Sequence, residues 1–455
     1  MNKLMGHSIR GVELDSSERD PPPRCHPGTR ISILEESARF FQDPKPPERI
    51  LWLYGPAGVG KSAIVQTVAE SLKSLRERPG SDANHSLGAV IFFSRPNQRD
   101  DPKLVFTSIA YQLAARYPFY RQYIARELSN DPMMLDQSIP EQFRRLIGRP
   151  FGDQGLYHEP GSLVIMLDGL DECNLEREQV NIVLLISQFA VSHPSVPLLW
   201  LISSRPEPHL RDVFLRIDVL PSYRKQEVPV DSTESCRDVE RYLWRSFAGI
   251  RQRHPDHFSE NTSWPTASQF LVVCTAASGL FAFAAAIVRF ISDAECGSPI
   301  SQLEEVLLVI DKKENKGDRP RINPFSTLDA LYTRVLSSVP ETILPTTVRI
   351  LQQLLCMPHS PFTDLANFLG LAQHEAYIAL QKLHSILFIP SPHLVQGEKI
   401  RAYHASFTDF LRDDARSGRF CIKVPATIED HIACSLRILT EVTTGGSGYF
   451  LLCIG

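Results

Sequence analysis

The sequence predicts an α/β protein: a parallel sheet with helices on both faces, followed by a largely helical half. Three observations carry this expectation. The short apolar runs Ile50–Tyr54, Leu87–Phe93, Ser162–Leu167 and Leu198–Ile202 alternate with amphipathic segments, as in strands buried on both faces and joined by crossover helices. A glycine-rich loop, Gly55 to Ser62, stands between the first run and a helical pattern. From Ser232 to about Arg334 the apolar spacing is helical.

The bulk properties narrow the class. At 455 residues the chain is too long for one ordinary core and suggests about three domains. A net charge of −4 with 22% charged residues gives no sign of nucleic-acid binding. The nine cysteines form no C-x-x-C pair, which favours a reducing compartment over a disulfide framework or a zinc site. The N-terminus has no apolar core of a secretory signal, so a cytoplasmic protein is expected. Phe270–Val288 runs nineteen residues without a charge, long enough to cross a bilayer. Ser278-Gly279 interrupts it, and the favoured reading is two buried helices with glycine closing the first; no membrane span is expected.

Taken in order, residues 1–24 are polar, end in Asp20-Pro21-Pro22-Pro23, and read as a flexible lead-in. Residues 25–48 hold a helix with Ile33, Leu34, Ala38 and Phe41 on one face, stopped by Pro44, Pro46 and Pro47. The sheet domain spans 49–231. Within it, Arg78–Ser86 reads as a loop, Pro102 opens a helix, and Gly148–Gly161, with four glycines and two prolines, reads as a loop. Glu178–Val191 is predicted helical, and Glu227–Val230 is a short last strand before Asp231. A helical domain follows over 232–335, with a solvated charge run at Asp311–Arg321. Residues 336–425 combine short helices, a strand-like Ile386–Ile389 and a helix near Ser406–Leu411. Residues 426–455 are a helix and a glycine-rich, then apolar, tail that reads as truncated.

The chemistry sits where strands end. Gly55, Pro56, Ala57, Gly58, Val59, Gly60, Lys61 and Ser62 fill the pattern G-x4-G-K-[ST], with Ala63 continuing into a helix. Glycines let backbone N–H groups turn inward around an anion, and a helix N-terminus adds its dipole. Such a loop binds nucleotide phosphates, with Lys61 reaching the β/γ-phosphates and the Ser62 hydroxyl on Mg²⁺. Asp168 ends a buried strand and suits Mg²⁺, usually through water. Asp171 and Glu172 follow closely enough to orient an attacking water, although an acidic cap on the next helix would use the same residues. Arg205, after Ser203-Ser204, suits a γ-phosphate sensor or a partner for an acidic neighbour. In open parallel sheets ligands sit at the carboxyl ends of strands, and all these residues fall there.

Together, Gly55–Ser62, Asp168-Gly169-Leu170-Asp171-Glu172 and Ser204-Arg205-Pro206 resemble a NACHT domain, closest to fungal NACHT proteins of the STAND class of signal-transduction P-loop NTPases. Cys25-x-x-Gly28-Thr29-Arg30, Phe92-Phe93-Ser94-Arg95, Gly279-Leu280-Phe281 and His404-Ala405-Ser406-Phe407 agree, over about residues 25–435. The resemblance implies a P-loop sheet domain, a helical domain and a winged-helix domain closing over ADP. It implies a switch that ADP keeps closed and ATP opens for homo-oligomerisation, coupled to an effector protein. It also implies that His404, in the H-x-S-F position, contacts the β-phosphate of ADP. Family members usually carry an N-terminal effector module and C-terminal repeats; neither is evident here, and the chain reads as an incomplete member.

The expected function is therefore an intracellular ATP/ADP switch with Mg²⁺ that hydrolyses slowly, NLR-like in type. Gly169, not a glutamate, follows Asp168, so the carboxylates of Asp171 and Glu172 act from further along. The alternatives are a P-loop kinase or transport ATPase with its own substrate, and a nucleotide-binding scaffold remnant.

Overall fold

A computed structural model describes residues 1–43, 46–77, 85–158, 161–230, 232–258, 263–293, 298–314, 326–357, 360–390 and 397–443. The chain divides into two compact units, Met1–Asp238 and Val239–Gly455.

The first unit is built on five parallel strands: β1 (Ile50–Tyr54), β2 (His85–Phe92), β3 (Ser162–Asp168), β4 (Leu198–Ser204) and β5 (Tyr223–Glu227), in the order β2-β3-β4-β1-β5. The apolar runs are buried on both faces because crossover helices cover the sheet; Leu51, Leu53, Ile165, Leu167 and Leu201 are wholly buried. Full burial of such a side chain is worth about 1.5–3 kcal/mol. The helices of this unit are α1 (Asn2–Gly6) and α2 (Ile31–Gln42), before the first strand, and α3 (Lys61–Glu77), α4 (Val105–Arg116), α5 (Pro118–Asn130), α6 (Ile139–Phe143), α7 (Glu176–Ser192) and α8 (Pro208–Phe214) between the strands. The result is an α/β fold of the P-loop NTPase kind.

Three local readings change. Residues 1–24 are not a loose lead-in: Leu4, Ile9, Val12 and Leu14 are buried, the Ile9 N–H donates to Ser108 Oγ at 2.8 Å, and the Phe92 N–H donates to the Val12 carbonyl at 3.1 Å. Apolar residues spaced this irregularly leave no periodic signal. The start of the supposed Gly148–Gly161 loop is instead a π-helical segment, Arg144–Asp153. Its wider turn, with the Gln154 N–H on the Arg149 carbonyl at 2.9 Å, carries Pro150, which has no N–H to place. The last strand is Tyr223–Glu227, earlier than expected, because its alternation is masked by polar residues. Asp231, most of the Arg78–Ser86 loop, most of the Asp311–Arg321 run and the tail after Thr443 lie outside the described residues.

Helix α9 (Thr233–Arg253) spans the boundary between the units. The second unit continues with α10 (Ala267–Ala277), α11 (Phe281–Ile291), α12 (Pro299–Glu314), α13 (Ser326–Ser337), α14 (Leu344–Cys356), α15 (Phe362–Leu369) and α16 (Gln373–Leu380). An antiparallel pair, β6 (Leu387–Phe388) and β7 (Arg401–Ala402), precedes α17 (Ala405–Arg412), α18 (Asp414–Ser417) and α19 (Val424–Thr443). The uncharged stretch at Phe270–Val288 is two helices, α10 and α11, broken at Ser278 and Gly279, both with positive φ. Among the described residues no helix is long and apolar enough to cross a membrane.

Candidate functional site

Parallel strands share their carboxyl edge, so the segments after β1, β3 and β4 emerge side by side. After β1 the chain runs so close to the residue that follows the neighbouring β5 that a Cβ on Gly55 would lie 2.6 Å from the Val228 carbonyl oxygen. Only glycine fits there. Gly58 and Gly60 adopt positive φ (74° and 93°) and turn the loop back onto α3, which starts at Lys61. Gly55→Ala is accordingly expected to cost about 1–3 kcal/mol through overpacking, read as a lower urea midpoint; an unchanged midpoint would show that the loop can shift away from Val228.

Lys61 is buried, and its Nζ donates to the Gly55 and Pro56 carbonyls at 2.7 and 2.9 Å. Burial pushes its pKa down to about 8, with the charge of Asp171 acting most strongly the other way. A buried ammonium whose hydrogen bonds go to neutral carbonyls of its own loop suits a site for an anion. Arg30, in the left-handed region at φ 56°, holds this loop from outside: its Nη2 donates to the Val59 carbonyl and its backbone N–H to Asp238 Oδ2, both at 2.8 Å.

At the end of β3, Asp168 is only 2% exposed. Ser203 Oγ, on the neighbouring β4, donates to its Oδ1, and the Gly169 N–H donates to the same Ser203 hydroxyl at 2.9 Å. Burial pushes the Asp168 carboxyl above the usual carboxylate range; hydrogen bonds from Ser203 and Ser62, and the charges of Arg19 and Lys61, oppose that. Ser62 and Asp168 are thus brought together, a pair of hard oxygen donors that fits Mg²⁺. Among the described residues no cluster of three or more His, Cys, Asp or Glu gathers, and Mg²⁺ beside phosphates needs only one or two carboxylates.

Asp171 and Arg205 also meet. Arg205 Nε lies 3.1 Å from Asp171 Oδ2, and the Arg205 backbone N–H donates to Asp171 Oδ1 at 2.9 Å. Arg205 therefore has the acidic partner that the sequence left open. Glu172 Oε2 accepts the Arg95 N–H at 3.3 Å, while Arg95 Nη2 donates to the Asp171 carbonyl at 2.8 Å. Gln179 of α7 anchors the same turn through the Cys173 carbonyl at 2.6 Å and shares 2.7 Å with His209 of α8. His404 lies in the second unit, where its Nδ1 accepts the Ser406 N–H at 3.1 Å and caps α17.

Sequence reasoning missed Ser203 as the partner of Asp168, and it missed Arg19 entirely. Arg19 is 8% exposed, with its guanidinium carbon 3.3 Å from the Phe92 ring centroid. Burial lowers its pKa to about 10, with Asp168 the strongest charge acting upward, so it stays cationic at neutral pH. The Ser-Ser doublet that ends β4 was a signal for the first; nothing in the polar stretch around Arg19 signalled the second.

Compared with known proteins, residues 28–205 match the family model of the nephrocystin 3 N-terminal region. No curated protein sequence matches the chain. Similar solved structures include the Walker-type ATPase PABY2304 of Pyrococcus abyssi, at 15% identity and a TM-score of 0.34 over 86% of this chain and 98% of that one. Others are the Aeropyrum pernix ORC1 protein in complex with DNA (13%, TM-score 0.34, 86% of this chain and 94% of that one) and Cdc6p from Pyrobaculum aerophilum (12%, TM-score 0.34, 90% and 98%). Likenesses this distant say nothing of what this chain binds.

Proposed function

We propose that the chain is an intracellular ATP/ADP-dependent switch of NACHT type, which binds nucleotide with Mg²⁺, hydrolyses ATP slowly and controls self-assembly. The observation that carries this reading is the meeting of Lys61, the Ser62–Asp168 pair and the Asp171–Arg205 ion pair at one sheet edge. Lys61 and the loop N–H groups of Gly55–Ala63 would hold the β/γ-phosphates. Ser62 and Asp168 would hold Mg²⁺, which when bound neutralises phosphate charge. Arg205 engages both oxygens of Asp171 and the Arg95 N–H engages one of Glu172, so the two carboxylates are alternatives for orienting water, and Glu172 is tested first. An ion pair that must open before Arg205 reaches a phosphate, and a base set back behind Gly169, both favour slow turnover.

Nucleotide content tests this directly. ADP is expected to co-purify with the protein, and added ATP to be hydrolysed far below the typical enzyme median of about 10 per second. Rapid phosphoryl transfer to an acceptor would point to a kinase, and no affinity for any nucleotide to a scaffold. Asp168→Asn is expected to weaken nucleotide binding more with Mg²⁺ than without it, since the lost charge acts through the metal; equal losses in titration calorimetry would refute that role. Glu172→Gln is expected to spare binding and slow single-turnover hydrolysis roughly 10²–10⁴-fold, the usual worth of general base catalysis. An unchanged rate moves the base to Asp171 or elsewhere.

A further inference from the structure

The N-terminal segment buries a cation beside the metal pair. Arg19 lies over Phe92, the last residue of β2, and Phe92 stands in register with Asp168 on β3. Its Nη1 is buried and has no hydrogen-bond partner among the described residues. An ionised donor without an acceptor is costly inside a protein, and an acceptor from a ligand, an ion or a water offsets that cost.

The surroundings say which ligand. Ser62, Gln66 and Glu70 are four residues apart on α3 and share one face. Ser62 hydrogen-bonds Asp168, Arg24 Nε donates to Glu70 Oε1 at 2.9 Å and Lys73 Nζ to Asp15 Oδ2 at 2.8 Å, so the segment that carries Arg19 runs along α3. Gln66, between Ser62 and Glu70 on that face, is 1% exposed and its Oε1 also has no partner among the described residues. A buried donor and a buried acceptor are therefore left over next to the Ser62–Asp168 pair. The sheet order adds direction: β3 lies between β2 and β4. Arg205 approaches the end of β3 from β4, and Arg19 from β2.

We propose that Arg19 is a further phosphate-binding residue, which donates to the Mg²⁺-bound terminal phosphate of a nucleoside triphosphate and makes residues 1–24 part of the site. The inference rests on the phosphate-loop reading above. A diphosphate leaves that position empty, so Arg19 favours triphosphate over diphosphate, while Lys61 holds either. The planar guanidinium can give two parallel hydrogen bonds to a phosphate, which a lysine cannot.

The test is titration calorimetry of the full chain with ATPγS and with ADP, both in Mg²⁺, for the wild type, Arg19→Gln and Arg19→Lys. Losing a charge-assisted hydrogen bond is expected to weaken ATPγS roughly ten- to a hundredfold in Arg19→Gln, with ADP within about twofold; Arg19→Lys should recover part of the loss. The ratio of the two affinities is the readout, because a partly unfolded variant lowers the binding stoichiometry for both nucleotides together. An unchanged ratio in Arg19→Gln, with both nucleotides binding the wild type, overturns the role of Arg19 and leaves the phosphate loop standing. Wild-type protein that binds neither nucleotide overturns both.

Discussion

Lys61→Ala is expected to lower ATP and ADP affinity on the order of a hundredfold or more. The ammonium sits 2.7 and 2.9 Å from carbonyls of the phosphate loop, buried at the start of α3. It is thus already in place, and a nucleotide would only have to exchange two neutral acceptors for charged ones. Each charge-assisted hydrogen bond contributes about 1.5–3 kcal/mol, and two lost together exceed a hundredfold. Alanine is a good helix former at this position, so the fold should persist, as circular dichroism would establish. The loss should be similar for both nucleotides because the β-phosphate is common to them. A folded Lys61→Ala protein with wild-type ADP and ATP affinities would remove the phosphate loop from the site, and with it the switch.

What the sequence made legible was local. The strand β1, the loop Gly55–Ser62 and α3 are adjacent in the chain, so a motif and two periodicities describe them fully. Asp168 was legible for the same reason: an apolar run of strand length ends on a carboxylate. Pairings across the fold were not. Asp171 and Arg205 are separated by a whole helix and strand, and sequence offered both roles for Arg205, phosphate sensing somewhat ahead of pairing; the geometry supplies the ion pair. The packed state of residues 1–24 was hidden because Leu4, Ile9, Val12 and Leu14 are spaced by five, three and two residues, which sustains neither a helical nor a strand period. A segment that folds by lying on another element's edge, as Val12 does beside Phe92, takes its order from that edge and not from its own pattern.

His404→Leu is expected to speed ADP release on the order of ten- to a hundredfold. Within the second unit the imidazole stands at the N-terminus of α17, whose Phe407 and Phe410 pack against Tyr332 with ring centroids 5.1 and 5.4 Å away. Ser406 is fixed in turn, its hydroxyl 2.8 Å from that of Tyr332. Because Nδ1 accepts the Ser406 N–H at 3.1 Å, a neutral imidazole carries its proton on Nε2, the form that can donate to a phosphate oxygen. On the switch reading proposed above, this imidazole would meet the β-phosphate of ADP. Contact made only in the closed state biases that state by its own free energy, about 1.5–3 kcal/mol for one charge-assisted hydrogen bond. The bland role, a helix cap, is worth about 0.5–2 kcal/mol of stability, so the two must be separated. His404→Asn retains a good capping residue and shortens the reach. Fast release of fluorescent ADP from both variants, with the melting temperature lowered only in the leucine variant, is the outcome that a phosphate contact requires. Release rates equal to wild type in both would leave His404 as the cap of α17 alone, and the closed state would need another link to its nucleotide.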